Sequence, residues 1–344
     1  MQNKPSEENG NGHADDMFAT SIYEASKPQK KTFLPWHKPR KQFVRQFQWC
    51  KEIEALLKEI QPEGNTLKYL GLPGDDLLDL RYFHSKICEP KKMQLRFLGF
   101  NRSADPKSPT QTELNISLDE VRKLPGIDPL SDVIWDDFRL VGNDNEKAWH
   151  RAKDLGPYDI INIDLCDGFG KAEPGLLDDT YYKAVNRLMS LQARKKNPWL
   201  LFLTTRTRKS DVHTELMQRL LGKYVQNLSS CPSFKLASTE ALAIEDEASL
   251  KKAAETPEGH LSILLIGLCK WLLGLAVEQN PPSKIDVKGV IGYRVYAGAP
   301  RDDLISIAFR FEPTFTPVND PMGIANHPVV ALGECAQATE ALAS

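Results

Sequence analysis

Five short apolar runs, at residues 66–72, 93–100, 133–135, 158–165 and 199–205, give way to Pro-Gly, Asn-Arg, Asp-Asp, Cys-Asp and Arg, and stretches with helical spacing separate them. This alternation leaves few folds open. Parallel strands need long crossovers that are usually helical, and helices laid on both faces bury an otherwise exposed sheet. The chain is therefore expected to be an α/β protein with a mostly parallel sheet. In such sheets, ligands sit beyond the carboxyl ends of the strands. The fourth run is the most informative, because it leads directly into Asp164-Leu-Cys-Asp-Gly168, two carboxylates and a thiol at a glycine turn. A purely architectural reading is also open: the aspartates cap a helix and the glycines make the turn.

The last third changes character. Helical spacing over residues 214–228 and 259–276 brackets an acidic, alanine-rich segment, 238–254, expected to be one exposed helix. Two strands, 290–297 and 303–311, are joined by Gly-Ala-Pro-Arg-Asp, a hairpin signature that adds an antiparallel pair to the sheet. The expected organisation is a disordered arm over residues 1–29, a basic aromatic segment and helix over 30–60, an α/β domain over 61–312 and a flexible tail over 313–344.

A net charge of -2 exerts no global pull on a polyanion, so any nucleic-acid contact must be local. The local candidate is clear. Between Ala25 and Lys51 there is no acid, and Lys38, Arg40, Lys41 and Arg45 alternate with Trp36, Phe43, Phe47 and Trp49. Helical spacing puts Phe43, Phe47, Cys50, Ile53, Leu56 and Leu57 on one stripe, which predicts a buried aromatic face and a solvated cationic one. The four cations are then candidate phosphate contacts. Six scattered cysteines without a CxxC pair predict neither a zinc site nor a disulfide framework. The polar N-terminus, and an apolar run over 261–277 interrupted by Lys270, predict a cytoplasmic protein that does not engage membranes. Oligomeric state is not legible.

The order of elements resembles the class I S-adenosylmethionine-dependent methyltransferase family, a Rossmann-like fold with a mostly parallel seven-stranded sheet and a C-terminal antiparallel hairpin. The resemblance covers residues 61–312 and implies S-adenosylmethionine as cofactor. It implies that Gly71 and Gly74 let the backbone approach the cofactor. Lys68 stands where the family has an acid, so Asp75 or Asp76 would receive the amino group. It implies a ribose contact for Asn101, again in place of an acid, and an adenine contact for Asp137 and Phe138. Asp164, Asp167 and Arg206 fall at the catalytic edge. The Asp164 turn looks partly like the Asp-x-Pro-Cys turn of RNA cytosine-5 methyltransferases, but it lacks the proline, and the next strand lacks their second cysteine. Flanking carboxylates would raise the pKa of Cys166, which favours a carboxylate mechanism over a thiolate.

The function so implied is methyl transfer to a nucleic acid or nucleotide-like acceptor in a bacterial cell. The alternative is a catalytically inactive scaffold that binds nucleic acid or a protein partner, within a bacterial antiviral defence assembly. Lys68 and Asn101 favour that alternative. An NAD-dependent enzyme fits less well, because the first loop has no GxGxxG.

Overall fold

The computed structural model describes His37 and residues 39–165, 167–170, 180–295, 303–314 and Thr339. It opens with α1 (Pro39–Val44), a π-helical turn at Arg45–Cys50 and α2 (Lys51–Glu59). Then come β1 (Thr66–Gly71), α3 (Leu78–Phe83), β2 (Gln94–Phe100), α4 (Gln111–Arg122) and β3 (Asp132–Ile134). The chain continues through α5 (Lys147–Leu155), β4 (Ile160–Asp164), α6 (Tyr181–Gln192) and β5 (Trp199–Arg206). Helices α7 (Thr214–Ser230), α8 (Pro232–Leu242), α9 (Glu247–Glu255) and α10 (Pro257–Val277) precede β6 (Ser283–Tyr293) and β7 (Leu304–Pro313).

The seven strands form one sheet in the order β3-β2-β1-β4-β5-β7-β6, with β7 antiparallel to both neighbours and the other four pairings parallel. This is the class I methyltransferase topology expected from the sequence. Because β1 to β5 run the same way, their carboxyl ends share one edge, and the polar clusters that follow them meet there.

The period-two alternation of each strand divides the core in two. Ile161 and Ile163 of β4 join a cluster with α5, α6 and α10, whereas Ile160 joins one with α2, α3 and α4. Asn162 and Asp164 have the same parity as Ile160, so they point towards the side covered by the N-terminal helices. The face is not apolar at this end of the sheet: Asp164 pairs in register with Thr204, and Thr204 with Ser306. A covering helix must therefore bring polar groups with it.

Three expectations change. The segment 238–254 is two helices, broken at Ala243 with φ of 56°; Asp246 starts the second with a capping box closed by Ser249. Strand β6 starts seven residues before the expected position, because its outward residues Lys284, Asp286 and Lys288 keep this edge strand from reading as an apolar run. Cys231 is disulfide-bonded, while Cys50, Cys88 and Cys269 are free, so spacing alone did not reveal the bond. Helix α10 has 21 residues, long and apolar enough to cross a bilayer, yet half of its most apolar 18-residue stretch is buried, and Leu268, Leu272 and Leu273 lie in the core. The expected hairpin loop 298–302 lies outside the described residues. So do the arm, and the tail except for Pro313, which ends β7, Thr314 and Thr339.

Candidate functional site

At the shared carboxyl edge lies a cavity of about 360 Å³, bounded by the loops after β1, β2, β3 and β4 and by Tyr181 at the start of α6. Gly74, Asp75, Asn101, Asp137, Phe138, Asp164 and Asp167, seven of the nine expected cofactor and catalytic residues, line it, and so does Arg45, expected as a nucleic-acid contact. Gly71 and Arg206 do not.

The loop after β1 is held from the side. The Asn101 amide donates to the Pro73 carbonyl and to Asp75 Oδ1, both at 2.9 Å, while its own Oδ1 accepts from the Ser103 backbone at 2.7 Å. Asn101 thus positions the loop as well as lining the cavity. Pro73 fits over Gly99, where a Cβ would come within 2.8 Å of the proline ring. Gly71 has a different reason from the one expected: a Cβ there would lie 2.2 Å from the Tyr69 hydroxyl. Its lack of a side chain makes room for Tyr69. Lys68 also departs from expectation, because its ammonium pairs with Glu63 at 3.5 Å, before the start of β1. It is directed away from the cavity and does not line it.

After β3, Asp137 is already engaged. Arg139 donates to it from its backbone at 2.9 Å and from its guanidinium at 2.6 Å, and Arg102 donates as well. Burial would raise its pKa, but these hydrogen bonds outweigh burial and hold the carboxyl down at about 2. Its neighbour differs: Asp136 lines the cavity, and its buried Oδ2 accepts no hydrogen bond from the described residues. Phe138 is buried, edge-on to Phe100 at 5.6 Å and stacked with Tyr181 at 6.4 Å, so this end of the cavity has an aromatic wall.

The β4 end holds the largest difference from the sequence reading. Lys41, expected on the solvated face, is 4% exposed, and Arg45 is 2% exposed. Lys41 Nζ donates to Asp164 Oδ1 at 2.5 Å and to the Tyr293 hydroxyl at 3.0 Å, and sits 4.4 Å from the Trp49 ring centroid. Arg45 pairs with Asp79. Gln48 donates to the Ser306 carbonyl at 3.0 Å, and Trp49 Nε1 to the Ser306 hydroxyl at 3.2 Å. Phe43 and Phe47, expected in the core, are instead half exposed. The π-helical turn at Arg45–Cys50 explains the exchange, because each π turn advances the register by one residue and rotates the helix beyond it. An apolar stripe drawn at 3.6 residues per turn cannot anticipate it.

Burial raises the pKa of Asp164, and the nearby Asp79 adds to this, against the attraction of Lys41. Burial acts to lower the pKa of Lys41, but Asp164, Tyr293 and Asp79 together lift it above its ordinary value. The lysine therefore stays cationic and holds its place against Asp164. Arg206 lies buried at the end of β5 with its guanidinium 3.7 Å from Asp303, not on the cavity wall. Asp167 does line the cavity, and its carbonyl accepts from the Arg206 backbone at 3.3 Å. Of the expected nucleic-acid contacts among the described residues, only Arg40 is exposed; it donates to the Arg294 carbonyl at 2.8 Å. Lys38 and Cys166 lie outside the described residues. Sequence reasoning missed Tyr293, Asp79 and Asp136 as site groups, and it gave Lys41 another role, a phosphate contact. The acid-free interval did mark Lys41, but its partner is 123 residues away.

A protein-family model described as PP_RS20740-like matches residues 30–344. The chain belongs to the PP_RS20740-like family. No curated protein sequence matches it significantly. Among solved structures, a protein assigned as a spermidine synthase of Corynebacterium glutamicum is 12% identical, with a TM-score of 0.38, over 81% of this chain and 67% of the other. One assigned to the class I S-adenosylmethionine-dependent methyltransferases, of Listeria monocytogenes, is 9% identical, with a TM-score of 0.39, over 85% and 66%. TYW2 of M. jannaschii, solved with AdoMet, is 12% identical, with a TM-score of 0.28, over 76% of each chain. The chain thus spans about two thirds of the length of the first two. The fold assignment rests on this chain's own strand order.

Proposed function

We propose that the cavity binds S-adenosylmethionine and that the protein transfers its methyl group. The observation that carries this reading is the meeting of four loops around one cavity in a class I sheet, with an aromatic wall at the β2–β3 end and carboxylates at the β1 and β4 ends. A nucleoside cofactor fits the residues present. Phe138 and Tyr181 supply an apolar face for a base, and Asp136 Oδ2, which accepts no hydrogen bond from the described residues, supplies an acceptor for an amino group. Asp75, on the loop after β1, suits a ligand ammonium. When bound, S-adenosylmethionine supplies an electrophilic methyl carbon. The chain's own contribution is to orient the acceptor with Asp164 and Asp167 and to take its proton at a carboxylate oxygen. Burial suits Asp164 to the second task, since a carboxylate with a raised pKa is the stronger base.

Calorimetric titration with S-adenosylmethionine and S-adenosylhomocysteine tests the reading. Saturable one-to-one binding is expected, weakened about tenfold or more in Asp136→Ala, the scale of one hydrogen bond to a charged group. Absence of binding by the parent protein would overturn it.

A second reading, a scaffold for nucleic acid or a protein partner, is favoured by one surface feature. Phe43 and Phe47 are exposed with ring centroids 4.6 Å apart, one turn from Arg40. An aromatic pair beside a cation is a platform on which a base can stack. Fluorescence anisotropy with a single-stranded oligonucleotide is expected to show weaker binding by a Phe43→Ala/Phe47→Ala variant. Equal affinity would leave the pair without that role.

A further inference from the structure

Helices α7, α8 and α10 border a second cavity, of about 330 Å³, away from the carboxyl edge of the sheet. Leu220, Phe234, Ile266, Trp271 and Leu275 make its walls apolar. Among the described residues that line it, three cations, Arg219, Lys223 and Lys270, stand against one acid, Glu278. The half of α10 that the core does not bury therefore borders a basic, apolar groove, whose complement is a segment both apolar and acidic.

Two places in the chain point to what covers it. Cys231, the N-cap of α8, is disulfide-bonded. Of the other five cysteines Cys50, Cys88 and Cys269 are free, which leaves Cys166 and Cys335. Thr339 decides between them. It is helical, its hydroxyl lies 3.8 Å from Cys231 Sγ and 3.1 Å from the Ser233 hydroxyl, and it follows Cys335 by four residues, about one helical turn. Where β7 ends, Thr314 donates from its backbone and its hydroxyl to the Pro282 carbonyl, both at 2.8 Å, and Pro282 stands four residues beyond Glu278. The tail thus leaves the sheet near Glu278 and reaches α8 beside Phe234, and both of these residues line the groove.

Length and composition agree with this placement. The stretch of α10 along the groove, from Ile263 to its C-cap Glu278, is roughly 22 Å long at 1.5 Å per residue. The 24 residues between Thr314 and Thr339 can reach about 80 Å when extended. Residues 315–344 include three acids, Asp320, Glu334 and Glu340, and no lysine or arginine, together with Phe315, Val318, Ile324, Val330 and Leu332. They supply the charge and the apolar groups that the groove complements.

We propose that the chain's own C-terminal tail, residues 315–344, occupies this groove and is pinned there by a disulfide between Cys231 and Cys335. Its acids face Lys223 and Lys270, and its apolar residues cover the exposed half of α10. The bond keeps the tail at a high effective concentration over the groove, so reduction weakens the docking.

The test uses the full chain, purified without reductant. Tryptic mapping by mass spectrometry is expected to find the peptide carrying Cys231 linked to the one carrying Cys335. Zero-length carbodiimide coupling is expected to join Lys223 or Lys270 to Asp320, Glu334 or Glu340 of the same chain. Elastase is expected to cut within residues 315–344 at least about tenfold faster in a reduced Asp320→Lys/Glu334→Lys/Glu340→Lys variant than in the oxidised parent, since cleavage follows the population of undocked tail. Because these three substitutions lie outside the core, an unchanged circular dichroism spectrum shows that the helices are intact. A link from Cys231 to Cys166, or free thiols at both Cys231 and Cys335, overturns the pinning. Coupling of the two lysines to a second copy, no coupling to the tail, or equal cleavage of parent and variant overturns the docking.

Discussion

Removing the guanidinium of Arg45 is expected to destabilise the protein far more than its place in a basic, aromatic N-terminal segment would suggest. Its side chain is 3% exposed and that of its partner Asp79 4%. Arg45→Met keeps the bulk of the stem and leaves the Asp79 carboxylate buried without its cation. Breaking one side of a buried pair costs about 3–5 kcal/mol, whereas replacing both partners by apolar groups of similar size is often near neutral. For a chain of 344 residues, an unfolding entropy of about 2.1 cal/mol/K per residue gives roughly 0.7 kcal/mol/K, so the single variant should melt about 4–7 °C lower. The double variant Arg45→Met/Asp79→Leu should recover most of that difference. Urea unfolding at neutral pH, supported by scanning calorimetry, measures both. A loss below about 1 kcal/mol in the single variant, or a double variant no more stable than it, would refute the claim that this pair is a buried coupled unit.

The remaining expectations concern three other sites. Gly71→Ala, whose Cβ would lie 2.2 Å from the Tyr69 hydroxyl, should cost about 1–3 kcal/mol by overpacking; unchanged urea stability would mean that Tyr69 moves aside freely. Burial pushes the thiols of Cys50, Cys88 and Cys269 up to about 12, so none should react with a disulfide reagent at pH 8 in the native state and all should react once unfolded. Rapid native labelling at any of the three would contradict the packing. Asp137 has a folded pKa of about 2 against an ordinary 3.8, so its contribution is complete above pH 3.8 and is lost as pH falls through about 2. Asp137→Asn should flatten that part of the acid-denaturation curve, and an unaltered acid limb would show that the arginines do not act through it.

The sheet and its working edge were legible in the order of residues alone. Strand and helix periods are local, so β1 to β5 could be read from apolar runs, and the turn residues after them located the cavity. Asp164, Asp167, Asn101 and Phe138 were identified because they closely follow strands. How charges meet across the fold was settled only by packing. Lys41 and Arg45 read as a solvated face because their partners, Asp164 and Asp79, come from other elements, and no local period records a contact made across 123 residues or 34. The π turn then rotates the helix, so that cations and Trp49 enter the core while Phe43 and Phe47 leave it. Gly71 shows the same effect at smaller scale: a glycine at a strand end suggested an approaching ligand, and the packed structure shows an approaching tyrosine. A carboxylate buried at a sheet edge is costly without a counter-charge, and that cost, set only when the chain is folded, draws a basic helix inward.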